Sequence, residues 1–427
     1  MQSRARTWNL SGDPMQRCRE RQLPLNGPSG SAISGSTLSL DFTAMSGVLD
    51  PLITFSRADS TARATFINSS GYVETVPVGQ PQAPRFTFSE TSIGTPRGLL
   101  LEAPSTNLLR FSAYPDSGWN VAGGFSRPTP YVFVTSPAND STATELNYTG
   151  TGQGMYTNAG LMGYTNSIGS TYTFSVWLRA IPGVTANASL RFSDSAVGSP
   201  VTTVSFTTTW ARYQFQYTAV TNSGPYMQSA SGTATGRFEC WGCQLELGTQ
   251  VSSYIPTLSA ALTRAVDTAI IAAGTNFSSW YTGGTTGTFV TEWCRCSPTT
   301  TQRTVIATSD VDNRHLHQYI AATTSRLRLA NRVPLFIETT NASVDNSINK
   351  GAFSYSGSAQ SLCLNGGTVV PGTLAFTTAP TWLSIGGPST NGTSITDTAV
   401  MLNNAIRSIK YFPTRLSDAD IQTLTTL

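Results

Sequence analysis

The feature that most constrains this chain is a period-two alternation of apolar and polar residues, repeated along its middle and C-terminal parts. In Tyr172-Thr173-Phe174-Ser175-Val176-Trp177-Leu178 the apolar set is Tyr172, Phe174, Val176 and Leu178, and between Trp210 and Tyr217 it is Tyr213, Phe215 and Tyr217. Side chains two apart in an extended strand point to one face, so each segment has a greasy face opposite one of mostly Thr, Ser, Gln and Arg. That pattern suits antiparallel sheets packed face to face in a sandwich, and helical spacing fits neither segment. The same style returns in Gly287–Trp293, Ser361–Gly367 and Trp382–Gly387. Asn365-Gly366 between apolar runs is a strong hairpin signal, because both residues tolerate the positive φ of a tight turn.

Composition agrees with an all-β chain. Only 11% of residues are charged, against roughly 25% in ordinary soluble domains. The net charge is +3, carried by 24 Arg and 2 Lys without a basic run or helix, which speaks against a phosphate-neutralising nucleic-acid surface. No stretch approaches the roughly 18 consecutive apolar residues of a membrane helix. Residues 1–21 lack the apolar segment of a secretory signal, so if the protein reaches the cell exterior it is expected to leave on or in a larger particle. Six Cys residues without framework spacing are compatible with a reducing assembly compartment. One helix is predicted over residues 417–424, with Ser417 as N-cap, Asp420 three residues on, and Leu416 and Ile421 as a hydrophobic staple.

At 427 residues the chain has room for two to four cores. Residues 1–38 lack periodicity and end in Gly27-Pro28-Ser29-Gly30-Ser31, the composition of an extended arm and linker. Residues 39–111 hold short alternating stretches separated by Gly, Pro and Asn, read as a small β module. Residues 112–257 and 258–427 carry longer strands, read as two jelly-roll or β-sandwich domains with the short helix closing the second.

Three phrases go beyond pattern. Leu40-Asp41-Phe42-Thr43, Ile53-Thr54-Phe55-Ser56-Arg57-Ala58, Pro84-Arg85-Phe86, Pro96-Arg97-Gly98-Leu99-Leu100-Leu101-Glu102 and Thr106-Asn107-Leu108-Leu109 together resemble the leading module of bacteriophage head-spike, head-fibre and tail-fibre proteins. Trp241-Gly242-Cys243-Gln244-Leu245-Glu246-Leu247-Gly248 with Ser252-Ser253-Tyr254-Ile255-Pro256-Thr257 resembles the closing strand of a carbohydrate-binding-module-like jelly roll in the same proteins, with Cys243 where a small residue is usual. Ile406–Pro413 with Leu416–Ile421 is similar to the last strand and helix of laminin-G-like, concanavalin A-like domains. The resemblance implies a virion structural protein, in the manner of a trimeric fibre or spike, displaying sugar-binding-type folds; fold alone does not fix function.

No enzyme is expected. Glycoside hydrolysis needs two carboxylates flanking the bond, about 5 to 9.5 Å apart, and the nearest acids, Glu292 and the pair Asp310 and Asp312, read as solvated or turn-capping residues. Cys240 and Cys243 have zinc-ligand spacing, but a regular strand sends residues three apart to opposite faces, which makes them small buried hydrophobes. Cys294 and Cys296 share a face, as do His315 and His317, yet nothing in the sequence brings the pairs together. No cofactor is expected; Asp310-Val311-Asp312-Asn313 offers oxygen ligands for calcium but reads more simply as a turn. For glycan binding the candidates are the aromatics in Gly- and Asn-rich settings, Trp119, Tyr156, Tyr164, Trp280 and Tyr281, whose faces could stack on pyranose rings. The alternative for each is a hydrophobic cluster under a loop or a contact between subunits. Trp177, Trp210 and Trp293 lie on strands and read as core or inter-sheet residues.

In the arm, Arg4, Arg6, Arg17, Arg19 and Arg21 surround Trp8 and Leu10, a set suited to ordering on a partner surface. The leading expectation is a phage protein on the virion surface, assembled in the host cytoplasm. Capsid, neck or tail proteins would be its partners, trimerisation is inferred by analogy with fibres, and host surface glycan would be the target. A secreted bacterial polysaccharide-binding or polysaccharide-cleaving protein, and a capsid-stabilising decoration protein without glycan binding, stand as alternatives.

Overall fold

The computed structural model describes residues 33–427 except 45–46, 60–63, 115–118, 128–130, 151–153, 158–163, 184–188, 194–201, 206, 223, 230–235, 296–301, 311–312, 321–323, 331–335, 345–346 and 375–378. The arm residues Arg4, Arg6, Trp8, Leu10, Arg17, Arg19 and Arg21 lie outside the described residues. The remainder is all-β: strands in antiparallel sheets, two short helices, Thr275–Ser278 and Asp418–Thr425, and a single 3-10 turn among the described residues.

The middle of the chain forms one sandwich of two five-stranded sheets. One sheet runs in the order Ala211–Thr218, Thr171–Ala180, Gly236–Leu247, Ala143–Tyr148, Phe133–Val134; the other runs Thr202–Ser205, Ser189–Ser193, Tyr226–Ser229, Gly154–Thr157, Trp119–Ala122. The alternating set Tyr172, Phe174, Val176 and Leu178 enters its core, facing Phe215 and Tyr217 from the neighbouring strand.

The C-terminal sandwich is larger and is not built from C-terminal residues alone. Its eight-stranded sheet has Thr286–Cys294 and Asn404–Phe412 at the centre, and Asn404–Phe412 pairs on its other side with both Leu38–Asp41 and Pro96–Leu101, the latter carrying Arg85–Phe88 at the edge. The facing seven-stranded sheet likewise takes Thr54–Ser56 as an edge strand beside Thr268–Ile271. Leu38, Leu40, Phe42, Ile53, Leu99 and Leu101 accordingly share one core with Phe289, Trp293, Phe353, Ile406 and Tyr411. The boundary drawn from sequence between residues 39–111 and 258–427 therefore does not follow the sheets. Short strands and intervening Gly and Pro suggested a separate module, whereas those strands complete the sheets of the last 170 or so residues.

Two glycines fix this geometry. Gly98 has φ +108°, and a Cβ there would stand 2.1 Å from the Ile406 carbonyl oxygen, so the Pro96–Leu101 strand approaches its neighbour as closely as it does only without a side chain. Gly242, at φ +70°, marks a bulge: Trp241 pairs with Trp177 and Gln244 with Ser175, leaving Gly242 and Cys243 opposite Val176 alone. The extra residue reverses the alternation, so Cys240 and Cys243 both enter the core instead of diverging. The divergence expected from a regular strand is thus corrected by a glycine inside it.

The C-terminal helix runs Asp418–Thr425, with Ser417 as N-cap: its Oγ accepts from the Asp420 amide at 3.2 Å, its hydroxyl donates to Asp420 Oδ2 at 2.7 Å, and Ile421 is fully buried. Asn365 and Gly366 both have positive φ, and the Leu364 carbonyl accepts from the Gly367 amide at 2.9 Å, closing the expected tight turn.

Candidate functional site

Polar residues of the distinctive phrases, together with Asp59, Arg264 and Asp267, converge between the two sandwiches. Arg57 pairs with Asp59 at 3.2 Å and Asp267 at 2.9 Å; Arg85 pairs with Asp267 and with Glu102 at 2.8 Å; Arg264 reaches Glu102 at 3.4 Å. All six are buried. Arg57 also donates to the carbonyls of Pro81 and Ala83, and Ser253 donates to Glu102 through both its amide and its hydroxyl, each at 2.7 Å. Burial opposes the charge on Glu102, but Arg264, Arg85 and Ser253 outweigh it and hold its pKa down at about 2. Burial lowers the pKa of Arg57, with Asp267 opposing; at Arg85, Asp267 and Glu102 together overcome burial and raise it.

Two amide side chains continue the seam. Asn107 Nδ2 donates to the carbonyls of Ile255 and Cys243, at 2.9 and 3.2 Å, and its Oδ1 accepts from the amides of Leu109 and Leu245, both at 3.1 Å. Gln244 accepts from the Ile255 amide at 2.7 Å and donates to Glu246 at 2.8 Å. A third hydrophobic cluster seals the joint: Ile67 and Val73 of a small hairpin pack on Trp177, Trp241 and Tyr254. The joint is therefore a packed, hydrogen-bonded interface. Sequence reasoning held Arg57, Arg85, Glu102, Asn107, Gln244 and Ser253 within the resembling phrases but assigned them no role, and it missed Asp59, Arg264 and Asp267; the signal available was Arg and Glu standing inside short apolar strands, where an unpaired charge is too costly to bury.

Beside this seam opens a cleft of about 430 Å³, lined among others by Phe66, Phe88, Arg97, Arg212, Ser252 and Asn403. That volume lies within the roughly 300–1,000 Å³ typical of small-ligand sites. Arg212 stacks on Trp177, its guanidinium carbon 4.3 Å from the ring centroid. It donates to the Ser252 carbonyl at 2.8 Å and to Ser175 Oγ at 3.0 Å, while its buried Nε has no hydrogen-bond partner among the described residues. Burial lowers its pKa, with Glu90, Glu246 and Glu102 opposing, and no carboxylate among the described residues lies within ion-pair distance. Glu90 and Thr91 are exposed at the rim. Asn403, at φ +51°, accepts from the Ala103 amide at 2.6 Å and donates to Gln250 at 3.0 Å, bracing the opposite wall.

The aromatic candidates from sequence fall elsewhere. Trp119 is 2% exposed, at the start of a strand and 6.1 Å from the Phe174 ring. Trp280 and Tyr281, 2% and 8% exposed, follow the helix Thr275–Ser278 and pack against Phe277 and Tyr411 at the end of the C-terminal core. These three are plugs, not stacking surfaces: neighbouring Gly and Asn suggested loops, but the aromatics are what those short connections bury. Tyr164 packs partly buried against the middle core, and Tyr156 pairs with Tyr226 and Asn120 in the sheet. The structure does not bring the five together. The sequence candidates do not include an exposed aromatic group, Tyr131 and Phe133, 37% and 45% exposed, with Tyr114 5.3 Å from Phe133.

Cys240 and Cys243 are buried side by side, and burial followed by the Cys243 thiol pushes the Cys240 pKa well up, which disfavours the thiolate a metal needs. Cys294 is buried, Cys296 lies outside the described residues, and His315 and His317 lie on the strand Asn313–Ile320. Asp310 pairs with Asn313 across a hairpin whose turn residues, Val311 and Asp312, lie outside the described residues. Glu292 is tied to Arg407 at 2.6 Å. Among the described residues no group of three or more His, Cys, Asp or Glu could hold a metal ion, and no helix is long and apolar enough to cross a membrane.

No protein-family model matches the chain, and no curated protein does. Among solved structures, part of the chain is similar to the CBM40 module of the Ruminococcus gnavus IT-sialidase bound to alpha2,3 sialyllactose: 17% identity, 33% of this chain and 83% of that one, TM-score 0.29. Domain 4 of a GH43 extracellular arabinanase from Geobacillus stearothermophilus, in complex with arabinotriose, aligns at 13% identity over 42% of this chain and 82% of that one, TM-score 0.30. A Trypanosoma rangeli sialidase aligns at 12% identity over 37% of this chain and only 25% of its own, TM-score 0.30.

Proposed function

We propose that this chain is a bacteriophage virion structural protein of the head- or tail-fibre type, held to the particle by its N-terminal segment and presenting two β-sandwiches for adhesion to host surface glycan. The observation that carries the reading is the lock between the sandwiches. Residues from two of the resembling phrases, Arg57, Arg85, Glu102, Asn107, Gln244 and Ser253, meet in one buried network, so those two phrases describe one mechanical unit. A fibre or spike has to carry its binding surface rigidly on a particle, and a charge-locked joint supplies that rigidity. Assembly as a trimer and a place on the virion surface belong to the same proposal.

The reading is non-catalytic. A glycosidase acid must be protonated near neutral pH. Glu102, the buried acid of the cleft lining, is held ionised by two arginines, and Glu90 stands at the solvent-exposed rim. Mass spectrometry of purified particles tests the reading: the chain should be present in virions in stoichiometric amounts. Its absence from particles, with recovery from the culture medium, would favour a secreted polysaccharide-binding protein instead.

A further inference from the structure

The cleft at the joint is charged in a way that neutral sugar recognition does not require. Two arginines, Arg97 and Arg212, line it against one free acid, Glu90, because Glu102 is committed to Arg85 and Arg264. Arg212 is the notable one. Its guanidinium sits over Trp177 and is held by the Ser252 carbonyl and Ser175 Oγ, so its position is fixed with no ion-paired carboxylate among the described residues. Among the described residues Nε still lacks a partner. Glu90, Glu246 and Glu102 offset the burial of this cation only from beyond ion-pair distance, and a planar guanidinium presents paired donors that match a carboxylate. The walls add the rest of a sugar site: Phe66 and Phe88 as apolar surface, Thr91, Ser252 and Asn404 as partners for hydroxyls.

We propose that this cleft binds an acidic saccharide, a hexuronic or ulosonic acid unit, with its carboxylate on Arg212. The assignment rests on the glycan-adhesion reading above and adds to it the ligand class and the location. Glu90 then acts as a gate for charge, disfavouring anions at the rim until the carboxylate is engaged by Arg212.

The test uses the full chain against a panel of hexuronate- and ulosonate-containing oligosaccharides, each paired with its carboxyl-reduced form, with affinities measured by calorimetry. At least one acidic member should bind ten-fold or more tighter than its reduced partner. Arg212→Lys, which keeps the charge and loses the fork, should remove that preference while keeping the parent circular dichroism spectrum at the assay temperature. Glu90→Gln, at an exposed position, should strengthen acidic binding two- to five-fold. If acidic and reduced forms bind equally, or the preference survives Arg212→Lys and ignores Glu90→Gln, the acidic-ligand proposal is overturned while glycan adhesion stands. If no saccharide on this panel or on a neutral glycan array binds, the adhesion reading falls with it.

Discussion

At the scale of single residues, the chain invests its few charges where they are most expensive. Glu102 shows what that investment stabilises. Its pKa falls from 4.5 to about 2 on folding, so its contribution is fully present above about pH 4.5 and disappears as pH falls toward 2. The shift corresponds to roughly 3 kcal/mol. Glu102→Gln should destabilise the protein at neutral pH by about 3–5 kcal/mol, since Arg85 and Arg264 then lose a buried partner. It should also flatten the loss of stability between pH 4.5 and 2, as read from urea unfolding at several pH values. An unchanged acid slope in the variant would assign that titration to other groups. None of this was legible in the sequence beyond the oddity of Arg and Glu within apolar strands, because the partners lie far apart in the chain: Arg57 and Asp267 are 210 positions apart.

At the scale of elements, local signals served well where the interaction is itself local. The Ser417 cap, the Asn365-Gly366 turn and the alternating strands each depend on neighbours within a few residues. The exception is the strand Gly236–Leu247, where Gly242 shifts the register and carries Cys243 to the core face. The loop aromatics failed for the converse reason. Whether Trp280 is a plug or a platform depends on Tyr411 and Phe289, which no neighbouring residue announces. The helix Asp418–Thr425 does more than end the chain: Thr425 Oγ1 accepts from the Gly366 amide at 3.2 Å, and Gln422 donates to the carbonyls of Gly366 and Gly367 at 3.2 and 3.1 Å. Ser417→Ala should cost about 1 kcal/mol and speed amide exchange at Asp420 and at Gly366 together. Faster exchange at Asp420 alone would mean that the helix and the turn it covers open independently.

At the scale of the whole molecule, residues 36–427 form one compact unit in which chain order and spatial order disagree. Periodicity could identify strands but not tell that Leu38–Asp41 pairs with Asn404–Phe412. A fragment of residues 258–427 should therefore fail to fold, since it lacks Leu38, Leu40, Phe42, Leu99 and Leu101 from its core and neighbours on both sheets. Residues 36–427 should fold and unfold cooperatively. Circular dichroism and thermal denaturation of both would decide it, and a folded, cooperatively melting 258–427 fragment would show that the early strands are accessories.

The same interleaving imposes a schedule on biosynthesis. The strands Leu38–Asp41 and Pro96–Leu101 leave the ribosome first, yet their shared partner Asn404–Phe412 is made some 300 residues after the second of them. At about 5–20 residues per second, that is a wait of roughly 15–60 s with apolar edges unpaired. The middle sandwich, whose sheets pair only among residues 119–247, can close during that interval. It would then stand as a finished neighbour while the remaining sandwich is completed by the last strand to arrive. Translation speed through residues 258–412, and chaperones that shield exposed strands, should accordingly govern how much of this protein reaches its native state.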